Sequence, residues 1–159
     1  MPKAKTAVPE GYRTVTPHLV LDKAAEMIEW YKKALGAEVL ARVNGPDGSV
    51  MHAELRIGNS KILVNDPMGG RKGPKAYGGS PASLWLYVDD CDTLFNRAVA
   101  AGATIAAYGQ LQDQFWGDRT GVIIDPNGYA WTIATHKEDP TPDEMQARQA
   151  AFAKQLASQ

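Results

Sequence analysis

Cys91 is the only thiol in the chain, so no internal disulfide can form. The segment from Met1 to Arg13 has basic residues but lacks the apolar h-region of a secretory signal. A reducing, cytoplasmic setting is therefore expected. No apolar run approaches the ~18 residues of a spanning helix, which argues against membrane insertion. Neither sign of charge dominates: 17 Lys+Arg stand against 18 Asp+Glu, for a net charge of −1. That balance leaves no broad cationic surface for phosphates or anionic lipid, so neither nucleic acid nor membrane is an expected partner. What is present is 44% hydrophobic residues in 159, enough for one well-filled core or two small fused halves.

From Arg13 to Leu21 the residues Val15, Leu19 and Leu21 alternate with Thr14, Thr16, His18 and Val20, the period-two pattern of a strand with two faces. Asp22 is the expected cap of a helix in which Ala24, Met27, Ile28, Tyr31, Ala34 and Leu35 form an i, i+3, i+4 stripe ended by Gly36. Strands are expected at 38–43, 50–57 and 61–66, separated by the turns Gly45-Pro46-Asp47-Gly48 and Gly58-Asn59-Ser60. The same βαβββ order recurs as a strand at 83–88, a helix at 90–101 and strands at 104–108, 121–125 and 129–135. At an offset of 66 residues, Ala34 to Ala41 meets Ala100 to Ala107 with four identities, and each helix leads through Gly-Ala into a strand. Beyond the repeat, Thr141-Pro142-Asp143-Glu144 is a capping box with Pro at the first helical position, followed by a sparse seam of Met145, Phe152 and Leu156. A tail helix of about four turns follows from it.

A tandem βαβββ chain with Trp30-Tyr31 late in the first helix, Leu35-Gly36-Ala37 after it and Asp125-Pro126-Asn127-Gly128-Tyr129 before the last strand resembles the vicinal oxygen chelate superfamily. That superfamily holds glyoxalases, extradiol dioxygenases, and fosfomycin and bleomycin resistance proteins. The segments Val15–Val20, His52–Gly58 and Phe115–Arg119 resemble its PhnB-like branch more specifically. The resemblance implies an α+β fold in which tandem βαβββ units form a curved mixed-sheet cup, here with an added C-terminal helix. It divides the chain into an N-terminal extension (1–12), a single domain (13–136) and a helical tail (137–159). Within the domain, unit one is 13–66, the inter-unit loop 67–81 and unit two 82–136. It also implies a concave face that takes the ligand and a convex face that packs on helices. On that reading Val15, Leu19, Leu21, Met51, Ala53, Leu55 and Ile57 turn toward the helices. Thr16, His18, His52, Glu54, Asn65, Trp85, Tyr87 and Thr132 then turn toward the concavity.

The superfamily's metal site takes one ligand from the first and one from the last strand of each unit. The corresponding positions here are Thr16, Leu63, Ser83 and Thr132, none of which supplies an imidazole or a carboxylate. A cofactor-free cup is the expectation; a divalent metal stays open only through a shifted set of His18, His52 and Glu54. His52 and Glu54 also suit a proton-transfer pair, roughly 6.5–7 Å apart along a strand. The alternative for both is the wetted side of a half-buried strand, and for His18 a satisfied core histidine.

Between Gln112 and Arg119, Trp116 and Arg119 combine an aromatic face and a guanidinium able to grip a planar or anionic molecule. The alternative is that Trp116 fills the gap between units and Asp118 pairs with Arg119 or the backbone to hold the turn. The stretch from Met68 to Gly79 carries Arg71, Lys72 and Lys75 with five glycines and no acid, either an anion-attracting lid or a linker. His136 is expected at a solvated strand end, and Cys91 in helix packing. Two classes of function remain. The first is a binder of a small planar or anionic molecule, expected as a homodimer. The second is a lyase- or isomerase-type enzyme with His18 or His52 as general base.

Overall fold

The computed structural model describes residues 3–158, so residues 1, 2 and 159 of the expected extension and tail lie outside the described residues. Two compact units account for the chain: residues up to 81 with 126–128, and residues 82–125 with 129 onward.

In the first unit, β1 (His18–Val20), α1 (Ala24–Leu35), β2 (Glu38–Asn44), β3 (Val50–Ile57) and β4 (Ser60–Asn65) follow in order. They build a mixed sheet of order β1-β4-β3-β2, with β1 parallel to β4 and the other pairs antiparallel. All six residues of the expected α1 stripe are buried, and Tyr31, Ile28, Leu55 and Val64 are fully so. The stripe explains why this segment is a helix: its apolar residues meet one sheet face only at helical spacing. Gly36 ends it at φ 70°, a conformation that L side chains resist, and its N–H and that of Ala37 both reach the Tyr31 carbonyl.

Three expectations for this unit need correction. The first strand is only His18–Val20 rather than 13–21. The Thr16 hydroxyl instead donates to the Arg13 carbonyl at 3.1 Å, closing a local turn that competes with a ladder, and Val15 is 82% exposed. Asp22 does not cap α1. The cap position is Lys23, with φ 57°, and the Ala24 N–H is taken by the Asp66 carboxylate at 2.8 Å. Finally, Met51 is exposed and Val50 is fully buried in its place. A register shift between Val43 and Asn44 pairs Asn44 with Val50, and Asp66 accepts the Val50 N–H at 2.7 Å, drawing that residue inward.

In the second unit the elements are β5 (Ser83–Tyr87), α2 (Cys91–Ala100), β6 (Thr104–Ile105), β7 (Gln112–Asp113), β8 (Asp118–Ile124), β9 (Ala130–His136) and α3 (Pro142–Ala157). The sheet order is β5-β9-β8-β6, with β5 parallel to β9, so the connectivity of the first unit recurs; β7 adds to β8. Asp90 caps α2, its carboxylate accepting the Thr93 N–H at 2.9 Å, and Cys91, Phe95 and Ala98 are buried. Phe95 packs so closely on β8 that a Cβ at Gly121 would lie 2.6 Å from its ring. The strand expected at 104–108 stops at Ile105 because the chain turns at 106–109: the Gly109 N–H bonds the Ala106 carbonyl, and Tyr108 is 82% exposed. β8 begins at Asp118, three residues before the expected start.

The tail is helical as expected. Thr141 accepts the Glu144 N–H while the Glu144 carboxylate accepts the Thr141 N–H at 2.8 Å, a complete capping box. None of the residues of α3 is buried. Its attachments include Phe152 against Phe115, ring centroids 5.1 Å apart, and Arg148 with Glu138 at 2.7 Å.

Candidate functional site

The strand register sorts the side chains of the second sheet. Trp85 pairs with Thr132, Tyr87 with Ala134, Thr120 with Ala134, and Asp118 with His136. Side chains of paired residues share a face, so Trp85, Tyr87, Thr132, Asp118 and His136 lie on one side, opposite the face that α2 covers. Trp85 is 48% exposed and Tyr87 63% exposed. Their rings stand side by side with centroids 6.1 Å apart.

Behind these rings lies Asp118, nearly fully buried, its carboxylate met by three donors. One of its oxygens accepts from the Tyr87 hydroxyl and the Trp116 indole N–H, each at 2.9 Å; the other accepts from His136 Nδ1 at 2.7 Å. Burial pushes the Asp118 carboxyl upward. The three donors together outweigh that effect and hold it below its ordinary value. The Tyr87 phenol is raised, first by its hydrogen bond to Asp118 and then by burial. His136 reaches Asp139 at 3.0 Å through Nε2, so each ring nitrogen faces a carboxylate, and its bond to Asp118 is the main reason its pKa lies above the ordinary histidine value. His136 stands at the solvated strand end as expected, its side chain 52% exposed, and there it bridges the carboxylates of Asp118 and Asp139. The signal for this bridge in sequence is the three-residue spacing to Asp139; the third member, 18 positions away, is set only by strand register.

Arg119 lies elsewhere. It pairs with Thr135, on the side facing α2. There its guanidinium grips Asp92 through two nitrogens at 2.7 and 2.8 Å and Asp113 at 3.2 Å. Asp118 does not pair with it. The register therefore brings Trp85, Tyr87, Thr132 and, through Asp118, Trp116 together, and sets Arg119 apart from them. Where β8 meets the tail, a cavity of about 340 Å³ is lined by Gln114, Gly117, Arg119, Lys137, Glu138 and Arg148 among others. Its lining carries the acids Asp113, Asp118 and Glu138 and the bases Arg119, Lys137 and Arg148.

On the first sheet, His18 and Leu63 are paired, as are Leu63 and Glu54, so His18, Glu54, Asn65 and His52 share one face. β4 separates His18 from Glu54, a gap of two strand spacings or roughly 9.6 Å. His52 Nε2 stands 3.8 Å from a Glu54 oxygen, and Lys61 is also 3.8 Å from that carboxylate. The Tyr12 phenol is pushed up to about 12 by burial and by its hydrogen bond to Glu54. Among the described residues no three His, Cys, Asp or Glu side chains are arranged to hold a metal ion. The superfamily's ligand positions fit no better: Thr16 bonds its own turn, and Leu63, Ser83 and Thr132 offer a methyl group or neutral hydroxyls.

His18 has a partner at each ring nitrogen. Its Nε2 bonds Asn65 Oδ1, and Arg71 Nη1 lies 3.2 Å from Nδ1. The Thr16 hydroxyl is turned to the Arg13 carbonyl, outside this group.

Comparison with known proteins agrees with this architecture. The model of the Glyoxalase/Bleomycin resistance protein/Dioxygenase superfamily matches residues 14–133. The uncharacterized protein Rv0887c of Mycobacterium tuberculosis is 44% identical over 138 residues, covering 84% of this chain and 80% of its own. Among solved structures, TioX from Micromonospora sp. ML1 superimposes with a TM-score of 0.61 at 24% identity over 81% of this chain and 100% of its own. A bleomycin-binding protein complexed with bleomycin does so with a TM-score of 0.56 at 21% identity, over 79% and 99%.

Proposed function

The chain belongs to the Glyoxalase/Bleomycin resistance protein/Dioxygenase superfamily, and within it we propose that this member binds a small planar molecule on the open face of its second sheet. The observation that carries the reading is the pair Trp85 and Tyr87, two large rings left about half open to solvent side by side. Elsewhere in the sheet the large apolar side chains Trp131, Ile133 and Ile123 are fully buried. Leaving such rings exposed forgoes burial worth roughly 1.5–3 kcal/mol for a large apolar side chain, which a ligand would recover. The bond from Tyr87 to Asp118 fixes one ring in advance, reducing the ordering cost of binding. A fold neighbour that binds bleomycin supports the same use of this fold.

The reading needs no metal. It also places the chain in the PhnB-like branch, on the strength of Val15–Val20, His52–Gly58 and Phe115–Arg119. It takes the working form as a cytoplasmic homodimer, for which the exposed Leu156 and Phe152 on α3 offer apolar contact area.

The test is tryptophan fluorescence against a panel of planar aromatic compounds. Each aromatic pair adds about 0.5–1.5 kcal/mol beyond burial, so Trp85→Ala should weaken any quenching ligand about tenfold or more. Unchanged affinity in a folded Trp85→Ala variant refutes the site.

A further inference from the structure

We propose that Arg71 is a preorganised oxyanion-binding residue, aimed by His18 on the open face of the first sheet, and that it takes a carboxylate or phosphate group. The proposal goes beyond the planar-ligand reading and stands on the first unit alone.

It begins with the backbone. Gly69 and Gly70 both have positive φ, 58° and 81°, and the Arg71 N–H closes the turn on the Met68 carbonyl at 3.0 Å. Two successive positive φ values define a turn that glycine alone enters without strain, which accounts for the Gly-Gly pair. On the far side, buried Pro74 starts a single 3₁₀ turn (Pro74–Tyr77), and the Gly79 N–H bonds the Pro74 carbonyl at 2.9 Å. Arg71 therefore leaves a segment pinned at both ends.

The side-chain chain of bonds then sets its direction. Asn65 is nearly fully buried, and its Nδ2 donates to the Asp66 carbonyl at 2.6 Å, which fixes the amide so that Oδ1 faces His18. An amide oxygen only accepts, so His18 Nε2 must carry the proton. Nδ1 is then the acceptor, and it receives Arg71 Nη1–H. Asp66–Asn65–His18–Arg71 is a one-way series of donors and acceptors.

One of five guanidinium donors is used at His18, and among the described residues no carboxylate forms a salt bridge with Arg71. By contrast Arg119, Arg56 and Arg148 are each in salt bridges. The remaining fork of parallel N–H groups matches the two oxygens of a carboxylate or phosphate. Lys72 and Lys75 follow Arg71 in sequence, and Met68 to Gly79 contains no acid. The Asp22 carboxylate lies against Gly73, two residues on from Arg71.

The experiment is an NMR titration of the full chain at constant ionic strength, following Arg71 Nε–H and the His18 ring. The probes are sodium benzoate, sodium phosphate and neutral benzamide. Benzoate or phosphate should shift both signals saturably while benzamide does not, and the tighter of the two anions identifies the group the site takes. Arg71→Gln should weaken that anion about tenfold or more, the loss of a charge-assisted pair. Arg71→Lys, which keeps charge but not the fork, should recover only part. His18→Ala should also weaken the anion, and His18→Gln, which retains an acceptor for the guanidinium, should restore binding. Equal shifts with benzamide, or undiminished anion affinity in folded Arg71→Gln, overturn the proposal. Undiminished affinity in His18→Ala overturns the aiming role.

Discussion

Replacing Asp118 by Asn tests the buried hub directly. In the wild type three donors converge on one carboxylate, from Tyr87, Trp116 and His136. An asparagine preserves the shape: its oxygen accepts from Tyr87 and Trp116, and its amide donates to Nδ1 of a neutral His136. What is lost is charge. Hydrogen bonds to a charged group contribute about 1.5–3 kcal/mol and neutral ones about 0.5–1.5, a difference of about 1 kcal/mol per bond. Release of the buried charge from its desolvation cost offsets part of this, leaving a net loss of about 1–2 kcal/mol. At about 2–4 °C per kcal/mol for a chain of this size, the melting temperature should fall by roughly 2–8 °C. The variant also has a pH signature. The pKa of His136 is raised in the fold, so its contribution is fully present below the ordinary value near 6.5 and is lost as pH rises through the raised folded value. The pKa of Asp118 is lowered, so its contribution is present above the ordinary value and lost as pH falls through the lowered one. Wild-type stability should therefore fall between about pH 6.5 and the raised His136 value, and Asp118→Asn should flatten that fall, because the exposed Asp139 then remains to favour the imidazolium. Urea unfolding at a series of pH values reads both effects. Identical pH profiles for the two proteins would refute the bridge.

Two further variants probe the frame. Asp66→Ala removes the acceptor for the N–H groups of both Ala24 and Val50 and should cost about 3–6 kcal/mol in urea unfolding, since each bond is charge-assisted and contributes about 1.5–3 kcal/mol; a loss below about 1 kcal/mol would show that water replaces it. Thr141→Ala breaks the capping box of α3 and should cost that helix about 1 kcal/mol. Hydrogen exchange should then quicken in 142–157 and leave β8 and β9 unchanged, whereas faster exchange throughout would show the tail to be integral to the second unit.

Where the sequence was readable, one local rule acted alone. The α1 stripe and the Thr141 capping box each lie within a few residues, and both appear as expected. The departures occur where a distant group wins. Asp22 has the right chemistry for a cap, but Asp66, 42 positions from Ala24, reaches the N–H. Met51 and Val50 exchange places because a bulge shifts the period of alternation, and nothing in the alternation itself marks the shift. Arg119 has in composition the chemistry of a ligand handle; that it pairs with Asp92 on the α2 side is set by strand parity, which composition does not carry. Arg71 shows the converse: its glycine-rich neighbourhood was visible, but its partner 53 positions away was not.

The membership of residues 126–128 in the first unit bears on how the chain is made. Asn127 closes that unit by taking the Asp22 N–H at 2.6 Å and donating to the Asp22 carbonyl at 3.0 Å. During synthesis a ribosome can release everything up to residue 81 and the α1 sheet can form, yet the site beside Asp22 stays unfilled until a segment 105 positions later emerges. A cut at residue 81 thus yields an amino-terminal piece that lacks three of its own residues. Neither vectorial folding nor limited proteolysis should produce the first unit whole, although the fold repeats one motif twice.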